Sequence, residues 1–599
     1  MTSIRRSVLA STLALLLTPA LAHAQTDPQA EPSTAPATPA TTSPPGAEQG
    51  VTAEEAAEIA RKAVAEALAA ERARVAAEAE AAKRAQSDDQ SAVGGPGATR
   101  AGEGDYLSGD SGFVDTRLNF TLTNENLLAK PGETIPSVPG WRFGRPNSLG
   151  TLFFDNYDTR FSGYETMSNA IMYRNYRKDH LEVEGAFVMR INEIAERRLD
   201  LSDAGSYVLV SWWKDPAHKD PTRVQFTAFP VSSDRFRLGY SYRLSWGGND
   251  EYRAAVQLNQ PVPGFKLQYT NGKGYAFVGA KTSVTKDEET AELEAKQAVL
   301  AGGGYDVNDN LRLEVNGGYF NRGSNQLEDV KDQDVQLYGV SGQIAYHVGM
   351  PVGSSVDYAL YKYDPERIGR VFQKTKYPGG TQWLAMSELT YLAQTLKDPE
   401  KTGSTKVQPG VAGDINLRVM MDRVRFRFDA QYRDLAFILH SVPSLPTYSD
   451  FPAVYKIKPN FFAAAGVDRN WNDRLTLGAV VGMELPASLT TPAGIPGDTS
   501  AVGETTAVIR NNGQDTVITV LPTKMVNGQL KGEERAAQFA VKGSAQVDFG
   551  DIYAALLDVY YSYDPNQTRL ARSDPEAPFH YEFGEFNQLG VNVTLQAKF

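Results

Sequence analysis

The chain has 599 residues, a formal net charge of −12, 22% charged residues, abundant Tyr and Phe, and no cysteine. The lack of cysteine removes disulfide frameworks, thiolate metal sites and cysteine nucleophiles, and the acidic balance speaks against a nucleic-acid binder, which is usually basic. No stretch beyond the N-terminus reaches the roughly 20 apolar residues of a spanning helix, so the composition suits a large soluble all-β protein or strands that face lipid on one side and water on the other.

Residues 1–24 read as a secretory signal peptide. Arg5 and Arg6 give the positive start, Val8 to Leu17 the apolar core, and Ala22-His23-Ala24 the small-residue cleavage site. Residues 25–50 are Pro, Ala, Thr and Ser with almost no large apolar side chain, a composition that cannot offset its ordering entropy and predicts a disordered linker. Residues 51–86 are almost entirely Ala, Glu, Arg and Lys. Thr52 and Glu55 have capping-box spacing, and Glu58/Lys62 and Glu80/Arg84 are i,i+4 pairs, which predicts a periplasmic α-helix roughly 50 Å long. Ile59, Val64, Leu68 and Val75 follow a heptad loosely, so a solvated single helix and a trimerising coiled coil both stay open. Residues 87–104 form a second linker.

From residue 105 to 599 the texture is uniform: short alternating segments separated by Gly-, Asn-, Asp- and Pro-rich breaks. Leu181, Val183, Phe187, Met189 and Ile191 alternate with Glu182, Glu184, Arg190 and Asn192. Leu311 to Tyr319, Val424 to Tyr432, and Phe236 through Leu238, Tyr240, Tyr242 and Leu244 to Trp246 follow the same rule. A period of two over about ten residues gives a strand with one apolar and one polar face, at the length a tilted transmembrane strand requires. Trp212, Trp213, Trp246, Trp383, Tyr560, Tyr561 and Tyr563 fall at strand ends, as bilayer interfaces select. Short turns such as Asn308 to Asn310 contrast with long stretches such as Asp364 to Thr381 and Pro486 to Glu504. The expected fold is all-β: a transmembrane antiparallel β-barrel of roughly 16 to 20 strands, best placed at about 18. Its first strand would run from Thr116 to Thr123, with Leu118, Phe120 and Leu122 outward.

The residues opposite the apolar rows should face the lumen. The basic candidates are Arg235, Arg237, Arg243, Arg423, Arg425, Arg427 and Arg433, with Arg190, Arg312 and Lys598 beside them and Glu182, Glu184, Glu314 and Asp429 as acidic members. Arg423, Arg425 and Arg427 would stand about 7 Å apart on one strand face and favour anions. The competing reading pairs them with acids on neighbouring strands or on a loop folded inward.

Enzyme readings find no support. Gly109-Asp110-Ser111-Gly112 resembles a serine-protease nucleophile loop, yet the one upstream histidine is His23 in the signal peptide. Gly339 to Gly342 is one residue short of a nucleophile elbow. His180, His218, His347, His440 and His580 lack ligand spacing, and no cofactor or metal is expected.

The chain ends with apolar residues at every second position, Leu589, Val591, Val593, Leu595, Ala597 and Phe599. In this the sequence resembles Gram-negative outer-membrane barrel proteins, whose closing strand carries alternate hydrophobics and a terminal phenylalanine. The resemblance implies that Leu595, Ala597 and Phe599 form the signal read by the barrel-assembly machinery; Ala597 departs from the bulky residue common at its position. The layout of signal peptide, short coiled coil and barrel is similar to that of the phosphate-selective and related porins. Expected partners are therefore outer-membrane lipid and lipopolysaccharide, the assembly machinery, a homotrimer through residues 52–85, and peptidoglycan. The expected function is a water-filled outer-membrane porin for small hydrophilic solutes; an anion-preferring pore and an unselective or differently selective one both stay open. The alternative is an envelope tether or an outer-membrane part of an export or assembly system.

Overall fold

The structure, a computed structural model, describes residues 111–124, 127, 130–133, 141–144, 168–203, 205–234, 236–241, 244–249, 261–286, 293–325, 327–350, 379–440, 449–472, 474–492, 505–511, 514–520, 524–526, 529–531, 535–550, 552–571 and 580–598. The expectations for residues 1–104 and for Phe599 lie outside them.

One sheet of 20 strands dominates. Two of these, Trp141–Phe143 and Arg198–Asp203, are short flaps, and the remaining 18 close into an antiparallel transmembrane β-barrel. In chain order they are β1 (Ser111–Thr123), β2 (Asn169–Lys178), β3 (Leu181–Ala195), β4 (Tyr207–Trp213), β5 (Arg223–Phe229) and β6 (Gly264–Thr270). Then come β7 (Gly274–Lys286), β8 (Leu293–Asp306), β9 (Leu311–Ser324), β10 (Asp334–Val348), β11 (Thr381–Lys397) and β12 (Thr405–Met421). The circuit finishes with β13 (Val424–Arg433), β14 (Asn460–Asn470), β15 (Leu475–Leu485), β16 (Gln538–Phe549), β17 (Tyr553–Tyr563) and β18 (Asn587–Lys598).

Alternation explains the wall. Phe187, Val299, Val315, Leu389, Val481 and Val593 are exposed large apolar residues on the outer face, while their sequence neighbours turn inward and are buried. Such a face is stable only in lipid, where every backbone N–H and C=O must find a partner within the sheet. The register between β1 and β18 supplies that for the two terminal strands: Leu118 stands opposite Leu595, Phe120 opposite Val593 and Leu122 opposite Val591. On the inner face the seam is zipped by polar side chains. Asn119 Nδ2 donates to Thr594 Oγ1 at 2.9 Å, Thr121 Oγ1 to Asn592 Oδ1 at 2.7 Å, and Gln596 Nε2 to Asp115 Oδ2 at 2.7 Å.

β1 begins and β18 ends at the same end of the barrel, because Asp115 pairs with Lys598. That end carries the short turns, including residues 179–180, 422–423 and 471–474, whereas the opposite end carries 230–263, 434–459 and 486–537. The connection 349–380, which contains the stretch from Asp364, breaks the pattern by joining β10 to β11 at the short-turn end.

Three sequence expectations are corrected. Phe236 to Trp246 is not a wall strand; it folds into the barrel, with Leu238 bridging Trp246. Trp246 is consequently fully buried rather than at a bilayer interface. Of adjacent aromatics at strand ends, one member faces inward: Trp212 is 60% exposed but Trp213 only 5%, and Tyr561 faces out while Tyr560 is buried.

Candidate pore-lining site

The apolar core lies inside the barrel, between the wall and the inward segment. Phe277 on β7, Leu300 on β8, Phe320 on β9, Leu337 on β10 and Leu392 on β11 turn apolar side chains inward, where a water-filled barrel would carry polar ones. Phe236, Leu238, Tyr240, Leu244 and Trp246 from the β5–β6 connection cover them. Gly247 makes the fit possible. Its φ is +75°, and a Cβ there would stand 2.7 Å from the Phe320 ring.

Polar contacts fix the segment's position. Lys281 Nζ on β7 donates to the Ser233 and Gly247 carbonyls at 2.8 and 2.7 Å, gripping the segment at two points. The Trp246 indole N–H donates to Ser341 Oγ at 2.9 Å, and Gly239 N–H to Asn316 Oδ1 at 3.2 Å. At the tip, Tyr240 N–H donates to the Glu388 carboxylate at 3.0 Å, and Ser241 N–H donates to the same group. Ser241 Oγ donates to Asp414 Oδ2 at 2.6 Å. Glu388 and Asp414 stand directly opposite each other on β11 and β12, a like-charge pairing that would destabilise the sheet if nothing answered it. The donors of the inward segment answer it.

The second feature is a basic patch on the inner face of β12 to β14. Arg418 on β12 stands directly opposite Arg427 on β13. Arg425 lies two residues away, its Nε 2.8 Å from the Asp468 carboxylate on β14. Arg418 Nε donates to Asn416 Oδ1 at 3.1 Å, and Asn416 Nδ2 donates to Asp429. Further along β13, Arg433 reaches Asn460 at 3.4 Å and Glu484 at 3.8 Å. Arg423 sits in the turn before β13 and donates to Asn470 Oδ1 at 3.1 Å.

The connection after β13 also turns inward as the short helix α1 (Leu435–His440). Asp434 caps it, accepting from Phe437 N–H at 2.7 Å and Val411 N–H at 2.8 Å. Leu435, Ile438 and Leu439 pack with Phe451, Tyr455 and Leu489. The His440 ring contacts Gln394 through Nδ1. Burial pushes its proton affinity down to about 3, and the neighbouring Arg322 guanidinium acts in the same direction. Burial pushes the Asp434 carboxyl up.

Of the basic candidates read from sequence, Arg425, Arg427 and Arg433 thus sit together on β13, and Arg423 occupies the adjoining turn. Arg237 stands on the inward segment, where it is buried against Asp234 at 3.1 Å. Arg235 and Arg243 lie outside the described residues. Leu595 faces lipid and Ala597 stands opposite Thr116 at the seam. The sequence reading missed Arg418, Lys281, Glu388 and Asp414, each of which lies in an alternating segment and carries no motif.

No family model matches the chain, and no curated protein matches it. Among solved structures, OprD of Pseudomonas aeruginosa is similar at 10% identity, covering 85% of this chain and 99% of its own, with a TM-score of 0.36. OccK11 of the same organism aligns at 7% identity over 82% of this chain and 95% of its own, also with a TM-score of 0.36. OmpT, an outer-membrane protein of Vibrio cholerae, aligns at 10% identity over 82% and 97%, with a TM-score of 0.28. What makes this chain a barrel is its own closed strand register.

Proposed function

We propose that the chain is an outer-membrane porin that passes small hydrophilic solutes and prefers anions. The preference rests chiefly on one observation: Arg418 and Arg427 face each other directly across β12 and β13, with Arg425 beside them. Directly opposed like charges weaken a sheet by up to about 1 kcal/mol, and guanidinium groups on an interior wall raise the local concentration of anions. Asp468 offsets Arg425, and Glu484 offsets Arg433 at longer range.

Planar-bilayer recordings in a salt gradient test the proposal. The reversal potential should indicate anion preference, and Arg418→Gln with Arg427→Gln should move it toward zero. A cation preference in the unaltered protein rules the selectivity out.

A second reading is supported by the position of β1. The chain enters the barrel at the short-turn end, which in outer-membrane barrels faces the periplasm, so residues 51–86 would lie there, free to trimerise or to contact peptidoglycan. Deleting residues 25–104 separates the readings. A porin keeps its conductance, whereas a tether loses cell-wall association.

A further inference from the structure

The outer face of the barrel is apolar almost throughout, but β2 interrupts it. Met172, Arg174, Tyr176 and Lys178 form its outward row, and all four are exposed. Arg174 is two outward positions inside the strand end, about 13 Å along the strand at 3.3 Å per residue. It stands opposite Gly112 on β1 and Gly185 on β3, so neither neighbouring strand raises a side chain beside it. The arginine stem lies across β1: its Cδ is 3.0 Å from where a Gly112 Cβ would stand. Long cationic side chains in this position lay their stems on apolar surface and extend the charged head toward the membrane interface.

The interface end of the same patch is aromatic. Tyr176 is 45% exposed and Trp212 on β4 is 60% exposed. The His180 ring stacks on Trp212 with centroids 5.4 Å apart. Lys178 adds a second positive charge two residues from Tyr176.

We propose that this patch binds the phosphate of an anionic phospholipid in the leaflet at the short-turn end. Arg174, its head extended toward the interface, and Lys178 hold the headgroup, the Gly185 position leaves room on the wall beside the Arg174 stem, and Tyr176 and Trp212 flank the headgroup at the interface. The proposal needs the transmembrane barrel but not the pore reading, since it concerns the outer surface alone.

Fluorescence quenching by brominated lipids tests it, using the full chain reconstituted in phosphatidylcholine with a minor share of brominated phosphatidylglycerol. Trp212→Phe identifies the signal that belongs to this tryptophan. Brominated phosphatidylglycerol should quench Trp212 more than brominated phosphatidylcholine at equal mole fraction. Each charge removed, by Arg174→Gln or Lys178→Gln, should lower that preference about fivefold. Inorganic phosphate at millimolar concentration should leave the quenching unchanged; displacement by it would mean that the patch recognises free phosphate rather than lipid. Gly185→Leu, which fills the open position beside Arg174 without altering charge, should also weaken the preference. Equal quenching by the two lipids, a preference that survives the double glutamine variant, or cross-linking that shows a second copy covering Tyr176 and Trp212 would each overturn the proposal. Single-channel conductance should be unaffected in these variants.

Discussion

The Ser241 hydroxyl donates a 2.6 Å hydrogen bond to the Asp414 carboxylate, and this contact ties the tip of the inward segment to the wall strand β12. Glu388, one strand over, accepts the adjacent backbone N–H groups. Hydrogen bonds to charged groups contribute about 1.5–3 kcal/mol, so Glu388→Ala should release the tip. Single-channel conductance should rise, and residues 230–263 should become sensitive to protease added at the long-loop end. Glu388→Gln, which keeps an acceptor oxygen, should fall between the two. Unchanged conductance and protection in Glu388→Ala would show that the apolar contacts hold the segment alone.

Those apolar contacts have their own test. Trp246 is fully buried against Phe320 with ring centroids 5.8 Å apart, and its indole N–H is satisfied by Ser341. Trp246→Ala should cost about 3–5 kcal/mol of local stability. Thermal unfolding in detergent should start earlier, while the strand signature in circular dichroism below the transition stays as in the unaltered protein, because the wall does not need the segment to close.

Docking of α1 should depend on pH through His440. Its ring titrates at about 3 when buried and near 6.5 when released. The released form therefore binds the proton more tightly. The stabilisation is fully present above about 6.5 and is lost as pH falls from there toward 3, by up to about 1.4 kcal/mol per pH unit. Asp434, whose carboxyl is raised by burial, acts in the opposite sense, gaining relative stability in acid. The difference between the unaltered chain and His440→Gln isolates the histidine. Protection of residues 435–440, taken relative to intrinsic amide exchange at each pH, should fall between pH 7 and 5 in the first and stay nearly flat in the second.

The two faces of β18 should respond differently to substitution. Val593 faces lipid and Asn592 faces the interior, bonded to Thr121. Val593→Arg should cost about 2–4 kcal/mol if it lies near the bilayer midplane, against about 1 kcal/mol for Asn592→Ala. Urea unfolding from lipid vesicles reads both. Equal costs would mean that the outward row does not meet hydrocarbon.

The barrel was legible in the sequence because alternation has a physical cause. Leu181 to Ile191, Leu311 to Tyr319 and Val424 to Tyr432 all became wall strands with the expected apolar rows outward, save Ile191, which is buried. The same rule misread Phe236 to Trp246. A segment pressed against the inside of a barrel also buries alternate residues, so its pattern imitates a strand. Its neighbours carried the correcting signal: Val299-Leu300, Tyr319-Phe320, Leu337-Tyr338 and Tyr391-Leu392 are apolar on both faces, which a water-lined wall would not be. The basic patch was half visible. Arg425 and Arg427 stand in one row of one strand, but Arg418 joins them only through the register of β12 on β13, and register between strands is not written in either strand alone.

The seam between β1 and β18 joins residues far apart in the chain: Asn119 and Thr594 are separated by 475 positions. Loop-closure entropy grows only slowly with length, so the thermodynamic cost of that pairing is modest. Its kinetic consequence is larger. While Asn587–Lys598 is unmade or unplaced, one edge of β1 holds a row of backbone donors and acceptors that neither lipid nor water-poor interface can satisfy. A barrel of this connectivity therefore has an obligatory late step, and any factor that speeds its assembly gains most by covering the free edge of β1 until β18 arrives.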